Sequence, residues 1–317
     1  MAHNIQDMMY VGNTPWHGLG KALEIPPSTE NALKLSGLDW TVHKDQTYLG
    51  DTPTGYYCTY RYDSDMSKVI LGNVSKRYEI LQNEEAFQPF DEALLEFGYT
   101  YETAGSLGDG EKIWILAKSP EYKLVGDDKI DQYVLLFNSH DGSSGVVMRP
   151  TLIRVVCQNT LDFSLNQKGQ QIKFKHTANV RERLDNFTQL LINTQGDMNT
   201  AIFEMNQFQE YEMKLKDVQW YFEKIFPALV HRHEENYDPI TGRKKPNFAM
   251  PMYAALVQNF YEGKGNHGKN LFDAYNAVTE FIDHNKNYQD PLKSIGFGWG
   301  YKQKQKAFSL ASELVTS

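Results

Sequence analysis

Residues 138–160 read NSHDGSSGVVMRPTLIRVVCQNT. The run opens on the polar turn Asn138-Ser139-His140-Asp141-Gly142 and passes through Val146-Val147-Met148 and Leu152-Ile153. It ends on Cys157-Gln158-Asn159-Thr160, with Arg149 and Arg154 set inside it. Turn residues between short apolar, β-branched runs are the signature of neighbouring strands. Each buried hydrogen-bonding group beside a core must find a partner or cost about 1–3 kcal/mol. A stretch this rich in them is therefore the leading candidate for a functional surface.

Working outward, Thr41–Leu49, Gly55–Tyr62 and Lys68–Val74 read as strands separated by turns at Gly50-Asp51-Thr52-Pro53 and Asp63-Ser64-Asp65. A helix follows, with Asn83 as its cap, Glu84 and Glu85 at its positive end, an apolar stripe from Ala86 to Phe97, and Gly98 as its stop. Strands resume at Tyr99, with a hairpin through Gly105–Gly110 into Lys112–Leu116, then Tyr133–Phe137, Val146–Arg149 and Thr151–Val156. Asn159 or Thr160 is expected to cap the next helix. The first 40 residues are turn-rich, with one short helix expected after Ser28.

From about Arg181 the period becomes helical. Helices are expected over Val180–Gln195, Asp197–Lys214, Val218–Leu229, Met252–Tyr261, Asn270–His284 and Lys302–Leu314, with a polar excursion from His231 to Pro246. Strands, helix, strands, then helices predict an α+β fold: antiparallel sheets with helices packed on one face, followed by a mainly helical C-terminal half. The expected division is an α+β domain over 1–179 and a helical region over 180–317. No Gly-rich phosphate loop follows a predicted strand, which disfavours a nucleotide-binding βαβ unit.

The chain has 317 residues, 41% hydrophobic and 13% aromatic, enough to build a full core. No apolar run approaches the roughly 18–20 residues of a membrane-spanning helix, and the first residues lack the basic and apolar pattern of a secretory signal, so neither a membrane span nor secretion is expected. Cys58 and Cys157, the two cysteines, both lie in strand-like runs, so neither disulfides nor a metal site is expected, and a reducing, cytoplasmic location fits. No cofactor is expected. The net charge of −8 argues against a protein coated in positive field. Residues 149–183 nevertheless hold seven bases against two acids, a local +5 that leaves −13 elsewhere.

That strip nominates Arg149, Arg154, Lys168, Lys173, Lys175 and Arg181 as phosphate contacts, with Phe174 stacking on a base. His140 and Asp141 are the candidates for acid–base chemistry if the protein is an enzyme, although a turn role satisfies both. Asn138, Asn159, Thr160, Asn276, Glu280 and His284 complete the polar positions, the last three on a helix stripe that reads as a network joining helix to sheet. The Gly263–Lys269 loop lacks the Ser/Thr that a phosphate loop requires.

Four segments together resemble one known family: Trp16-His17-Gly18-Leu19-Gly20, Asn138–Gly142, Arg154–Leu161 and Asn276–His284. It is the phage/plasmid-like proteins built on domain of unknown function 932. The resemblance implies carriage by mobile elements in a bacterial host and no established chemistry. The strand-strand-strand-helix order is also similar to that of the Rad52-like single-strand annealing proteins, by topology alone. The leading expectation is a non-catalytic, homo-oligomeric protein that binds, and in one form anneals, single-stranded DNA or another polyanion. An antagonist of a host defence protein is the alternative, and an enzyme using His140 and Asp141 the third reading.

Overall fold

The computed structural model describes residues 5–12, 19–154, 159–161, 172–184, 187–232, 247–285 and 298–316. The chain begins β1 (Ile5–Val11), β2 (Lys21–Leu23), α1 (Thr29–Leu35), β3 (His43–Leu49), β4 (Thr52–Tyr62), β5 (Lys68–Val74) and α2 (Asn83–Phe97). It continues β6 (Thr100–Leu107), β7 (Lys112–Val125), β8 (Asp128–Ser139), β9 (Val146–Arg154), β10 (Asn159–Leu161) and β11 (Ile172–Phe174). The helices α3 (Val180–Leu184), α4 (Phe187–Glu210), α5 (Leu215–Ile225), α6 (Ala249–Glu262), α7 (Leu271–Glu280) and α8 (Trp299–Thr316) complete it. This is an α+β fold with a strand-rich N-terminal region and a helical C-terminal half.

Eight strands join in one sheet, in the order β10-β9-β8-β7-β6-β1-β2, with β11 also paired to β9. β3, β4 and β5 form a separate antiparallel sheet. The pair β1–β2 is parallel, unlike the uniformly antiparallel arrangement expected. β1 itself was illegible as a strand because Met8, Met9 and Tyr10 are all buried, so the segment has no inside-outside alternation to read. Its pairing with β6 supplies the register instead.

Contacts divide the chain into two compact units. The first takes residues 1–121, 132–151 and 168–197; the second takes 122–131, 152–167 and 198–317. In the first, alternate residues Ile113, Ile115 and Ala117 of β7 and Val134 and Leu136 of β8 meet Ala86, Phe87 and Phe90 of α2 and Ala32 of α1. Tyr101 sits between Phe87 and Phe90, at 5.5 and 6.2 Å between ring centres, and its hydroxyl is satisfied by Thr29 at 3.1 Å. In the second unit, Met198, Met205 and Phe208 of α4 pack with Tyr221, Phe222, Phe272, Tyr275 and Phe308. The residues alternate in the first core and recur at three and four in the second, the two periods expected of strands and helices.

Three boundaries differ from expectation for physical reasons. Asn159 and Thr160 cap no helix. They lie in β10, where Asn159 pairs with Arg154 and Thr160 with Ile153 of β9. α4 runs without interruption through Gly196, whose cost of about 1 kcal/mol in a helix interior is outweighed by the buried stripe that follows it. α5 stops at Ile225 because Pro227 lacks an N–H, and a 3-10 turn, Pro227–His231, continues instead.

Two glycines test this packing in opposite directions. A Cβ on Gly72 of β5 would lie 2.5 Å from Asp141 Cα, a backbone atom with no room to yield, whereas one on Gly196 meets nothing within 4 Å. Gly72→Ala is expected to lower the free energy of unfolding by about 1–3 kcal/mol. Gly196→Ala is expected to raise it by up to about 1 kcal/mol. Urea denaturation of both variants checks the pair.

Candidate functional site

The turn from Asn138 to Asp141 is polar because four other elements converge on its backbone. His140 N donates to Glu111 O at 2.7 Å, and His140 O accepts from Thr59 Oγ1 of β4 at 2.7 Å. Tyr78 Oη donates to Ser139 O at 2.7 Å, and Asn138 Oδ1 accepts from Ser139 N at 2.9 Å. Asn138 Nδ2 reaches Leu81 O at 3.4 Å. Gly72 lies against Asp141, where no side chain fits.

The His140 ring is fully buried. Asn83 donates through Nδ2 to Leu38 O at 2.9 Å, so its Oδ1 faces the ring and accepts from His140 Nε2 at 2.9 Å. Asn83 therefore holds the histidine instead of capping α2. The entry to that helix is secured by Glu85, which accepts from Gln82 N at 2.8 Å. With the proton on Nε2, His140 Nδ1 is a bare, buried acceptor with no partner among the described residues. The ring edge meets Trp40, with centroids 5.5 Å apart.

Burial, reinforced by the nearby His176, pushes the His140 pKa down to about 3, although Asp141 pulls the other way. His176 is built alike. It stacks on Tyr78 at 4.5 Å, its Nδ1 meets Glu79 O at 3.0 Å, and burial lowers its pKa to about 4. Asp141 has a different set of partners: Ser139 Oγ, Ser143 N at 2.8 Å and Lys112 Nζ at 3.1 Å. Burial raises its pKa, but the bonds from Ser139 and Ser143 and the Lys112 charge hold it below the usual carboxylate range. His140 and Asp141 thus face separate neighbours and form no acid–base pair. A neutral imidazole locked in the interior cannot take a proton from an external substrate.

The expected basic strip is redistributed. Arg149 is 3% exposed and Phe174 is 2% exposed, so neither presents a charge or a ring face to a ligand at the surface. Arg181 is clamped by Glu85, at 2.6 and 3.1 Å, and donates to Ile80 O at 3.2 Å. The Arg154 side chain and Lys168 lie outside the described residues, as do the Asn159 and Thr160 side chains, Cys157 and the Trp16-His17-Gly18 segment. Lys173 and Lys175 remain exposed on either side of the buried Phe174, the alternation a strand imposes.

What the sequence reading missed is the pair Lys76-Arg77. Glu79 N donates to His176 O at 3.1 Å, and Tyr78 stacks on His176, so the connection from β5 to α2 runs alongside the segment after β11. That contact brings the segment carrying exposed Lys76 and Arg77 beside the one carrying Lys173 and Lys175, although about 100 residues separate them. Lys44 closes the group, donating to Tyr78 O at 2.7 Å. Adjacent bases between a strand and a helix were the available signal.

The Asn276–His284 stripe is structural in the second unit. Asn276 Nδ2 donates to Phe272 O at 2.8 Å and Thr279 Oγ1 to Asn276 O at 2.9 Å, both bonds within α7. Asp283 forms a buried ion pair with Lys304 at 2.7 Å, while Glu280 is partly buried and His284 exposed. The Gly263–Lys269 loop folds around Asn266, which donates to Asn259 O at 2.8 Å and Asp273 O at 3.2 Å.

The family described as "Domain of unknown function (DUF932)" matches residues 70–314. The chain belongs to that family. The match takes in the His140 turn, Lys76-Arg77 and Lys173 to Lys175 in this DUF932 protein, but begins after β4 with its Thr59 contact. No curated protein and no solved structure matches the chain. Among the described residues no helix is long and apolar enough to cross a membrane, and no group of three His, Cys, Asp or Glu could hold a metal ion.

The two histidines make stability sensitive to acid. In the unfolded chain both protonate near 6.5, whereas the folded chain resists to about 3 at His140 and about 4 at His176. The unfolded state therefore binds more protons as pH falls below 6.5, and stability drops through that window. Each histidine is expected to contribute a slope of about 1.4 kcal/mol per pH unit. Denaturant unfolding between pH 7.5 and about 5 should show a shallower slope for His140→Gln or His176→Gln than for the natural protein.

Proposed function

We propose that the protein binds single-stranded nucleic acid, or a polyanion of like charge spacing, without catalysing a reaction. The observation that supports this reading is the meeting of Lys76-Arg77 with Lys173 and Lys175, four exposed bases with no ion pair among the described residues. They replace Arg149 and Phe174 of the expected strip. A strand can engage such a row through its phosphates alone, an affinity that depends on displaced counterions.

The sheet of β3, β4 and β5 adds flat apolar surface in the same unit. Tyr56, Tyr62 and Ile70 are exposed, and His43 stacks on Tyr60 at 5.3 Å with Lys68 Nζ 4.2 Å above that ring. Exposed aromatic rings beside bases suit stacking of unpaired bases, which duplex DNA does not offer. Asp45, which accepts from Tyr60 Oη at 2.8 Å and pairs with Lys68 at 3.3 Å, keeps this sheet from becoming strongly positive. Binding there rests on stacking more than on charge.

With −8 over the whole chain, one copy opposes a polyanion everywhere except at such a patch. Assembly of several copies that align their patches follows from this reading, as does a role in the DNA metabolism of a phage or plasmid inside a bacterial cytoplasm.

Fluorescence anisotropy with labelled single-stranded and duplex DNA across a salt series tests the proposal. The expected result is preference for the single strand, with affinity falling as salt rises. Lys173→Ala with Lys175→Ala should flatten the slope of log affinity against log salt by about 0.7 for each lysine. No binding at low salt, or an unchanged slope in that variant, overturns the reading and favours a protein partner.

A further inference from the structure

The second unit contains a cavity of about 580 Å3, within the range of about 300–1,000 Å3 that small-molecule sites occupy. It opens where α5, the 3-10 turn, α6 and α8 meet. Phe226 and Trp299 form one wall, stacked at 5.8 Å with planes 30° apart, and Phe281 stands edge-on to Phe226 at 6.0 Å. Phe248 and Met252 of the α6 region add to the apolar lining, and none of the lining residues among those described is charged.

One polar side chain reaches the cavity. Gln303, on α8, lines it, and Gln303 Oε1 is buried with no hydrogen-bond partner among the described residues. A buried carbonyl without a donor costs about 1–3 kcal/mol, which a ligand that supplies the donor recovers. The other walls want flat apolar surface, because a ring set against Phe226 and Trp299 gains both burial and stacking. The described lining offers an uncharged ligand burial and stacking and holds no charged group to replace the hydration of an ionised one.

We propose that this cavity binds a neutral, flat heteroaromatic ring that donates one N–H to Gln303 Oε1, the chemistry shared by indoles and nucleobases. The site lies within the second unit and does not depend on the function proposed above. A base could arrive as a free nucleoside or as part of a strand, and competition separates the two.

Titration calorimetry of the full chain with indole and 1-methylindole reads the key contact, because methylation removes the N–H and leaves the ring. Indole is expected to bind about tenfold more tightly, the worth of one such bond. Gln303→Leu should equalise the two ligands, and Lys173→Ala with Lys175→Ala should leave both unchanged. Displacement of indole by adenosine alone identifies a free ligand, and displacement by adenosine and by oligodeoxyadenylate alike identifies a strand base. Ala249→Trp, which fills the cavity, should abolish indole binding. Equal affinity for the two indoles in the natural protein, or no heat with either at millimolar concentration, overturns the proposal.

Discussion

The chain reversal after β8 is the constraint on which the first unit depends. A buried peptide group without a partner is too costly to tolerate, and the turn from Asn138 to Asp141 buries several at once. Their partners come from Thr59 in β4, Tyr78 before α2 and Glu111 before β7, while Leu81 and Asn83 hold the turn's Asn138 and His140 side chains. None of these is a sequence neighbour of the turn. The penalty is therefore removed only when the small sheet, α2 and the main sheet are all in place, which couples their formation.

This coupling changes the meaning of the polar turn. A His-Asp pair next to a glycine invites a chemical reading, yet each side chain is held by structure: His140 by Asn83 and Trp40, Asp141 by Ser139, Ser143 and Lys112. Burial that drives an imidazole pKa to about 3 also removes it from contact with solvent and substrate. The turn also positions other groups indirectly. Tyr78 is one link, because it anchors Ser139 with its hydroxyl while its ring carries His176, and on either side of these two lie the exposed Lys76, Arg77 and Lys175.

The α+β class, the strands β3 to β8 and the helices α2, α6 and α8 were legible in the sequence, because alternation and the 3–4 spacing are local consequences of burying one face; β9, expected as two strands broken at Pro150, runs unbroken from Val146 to Arg154. β1 was not, because a strand buried on both faces has no period. Nor was β10, since Asn159-Thr160 chooses between a helix cap and a strand only through its pairing with β9. The polar residues of the site were visible, but their burial was not. Nothing local distinguishes Arg149, 3% exposed, from Lys173, which faces out. The Lys76-Arg77 contribution was invisible for a stricter reason: it arises from one backbone bond, Glu79 to His176, that closes a loop of about 100 residues.

The acidic balance of the whole chain and the basic character of one patch are compatible because electrostatic reach is short. At physiological ionic strength, exposed charges more than about 8 Å apart are largely screened from each other. On the proposed reading, a strand at Lys173 and Lys175 would feel those lysines and their immediate neighbours more than acids farther away. The same screening limits what so few bases can hold. On that reading, a protein of this charge would gain a firm grip on a polyanion by adding stacking surfaces such as the exposed Tyr56 and Tyr62, or by repeating its patch in neighbouring copies.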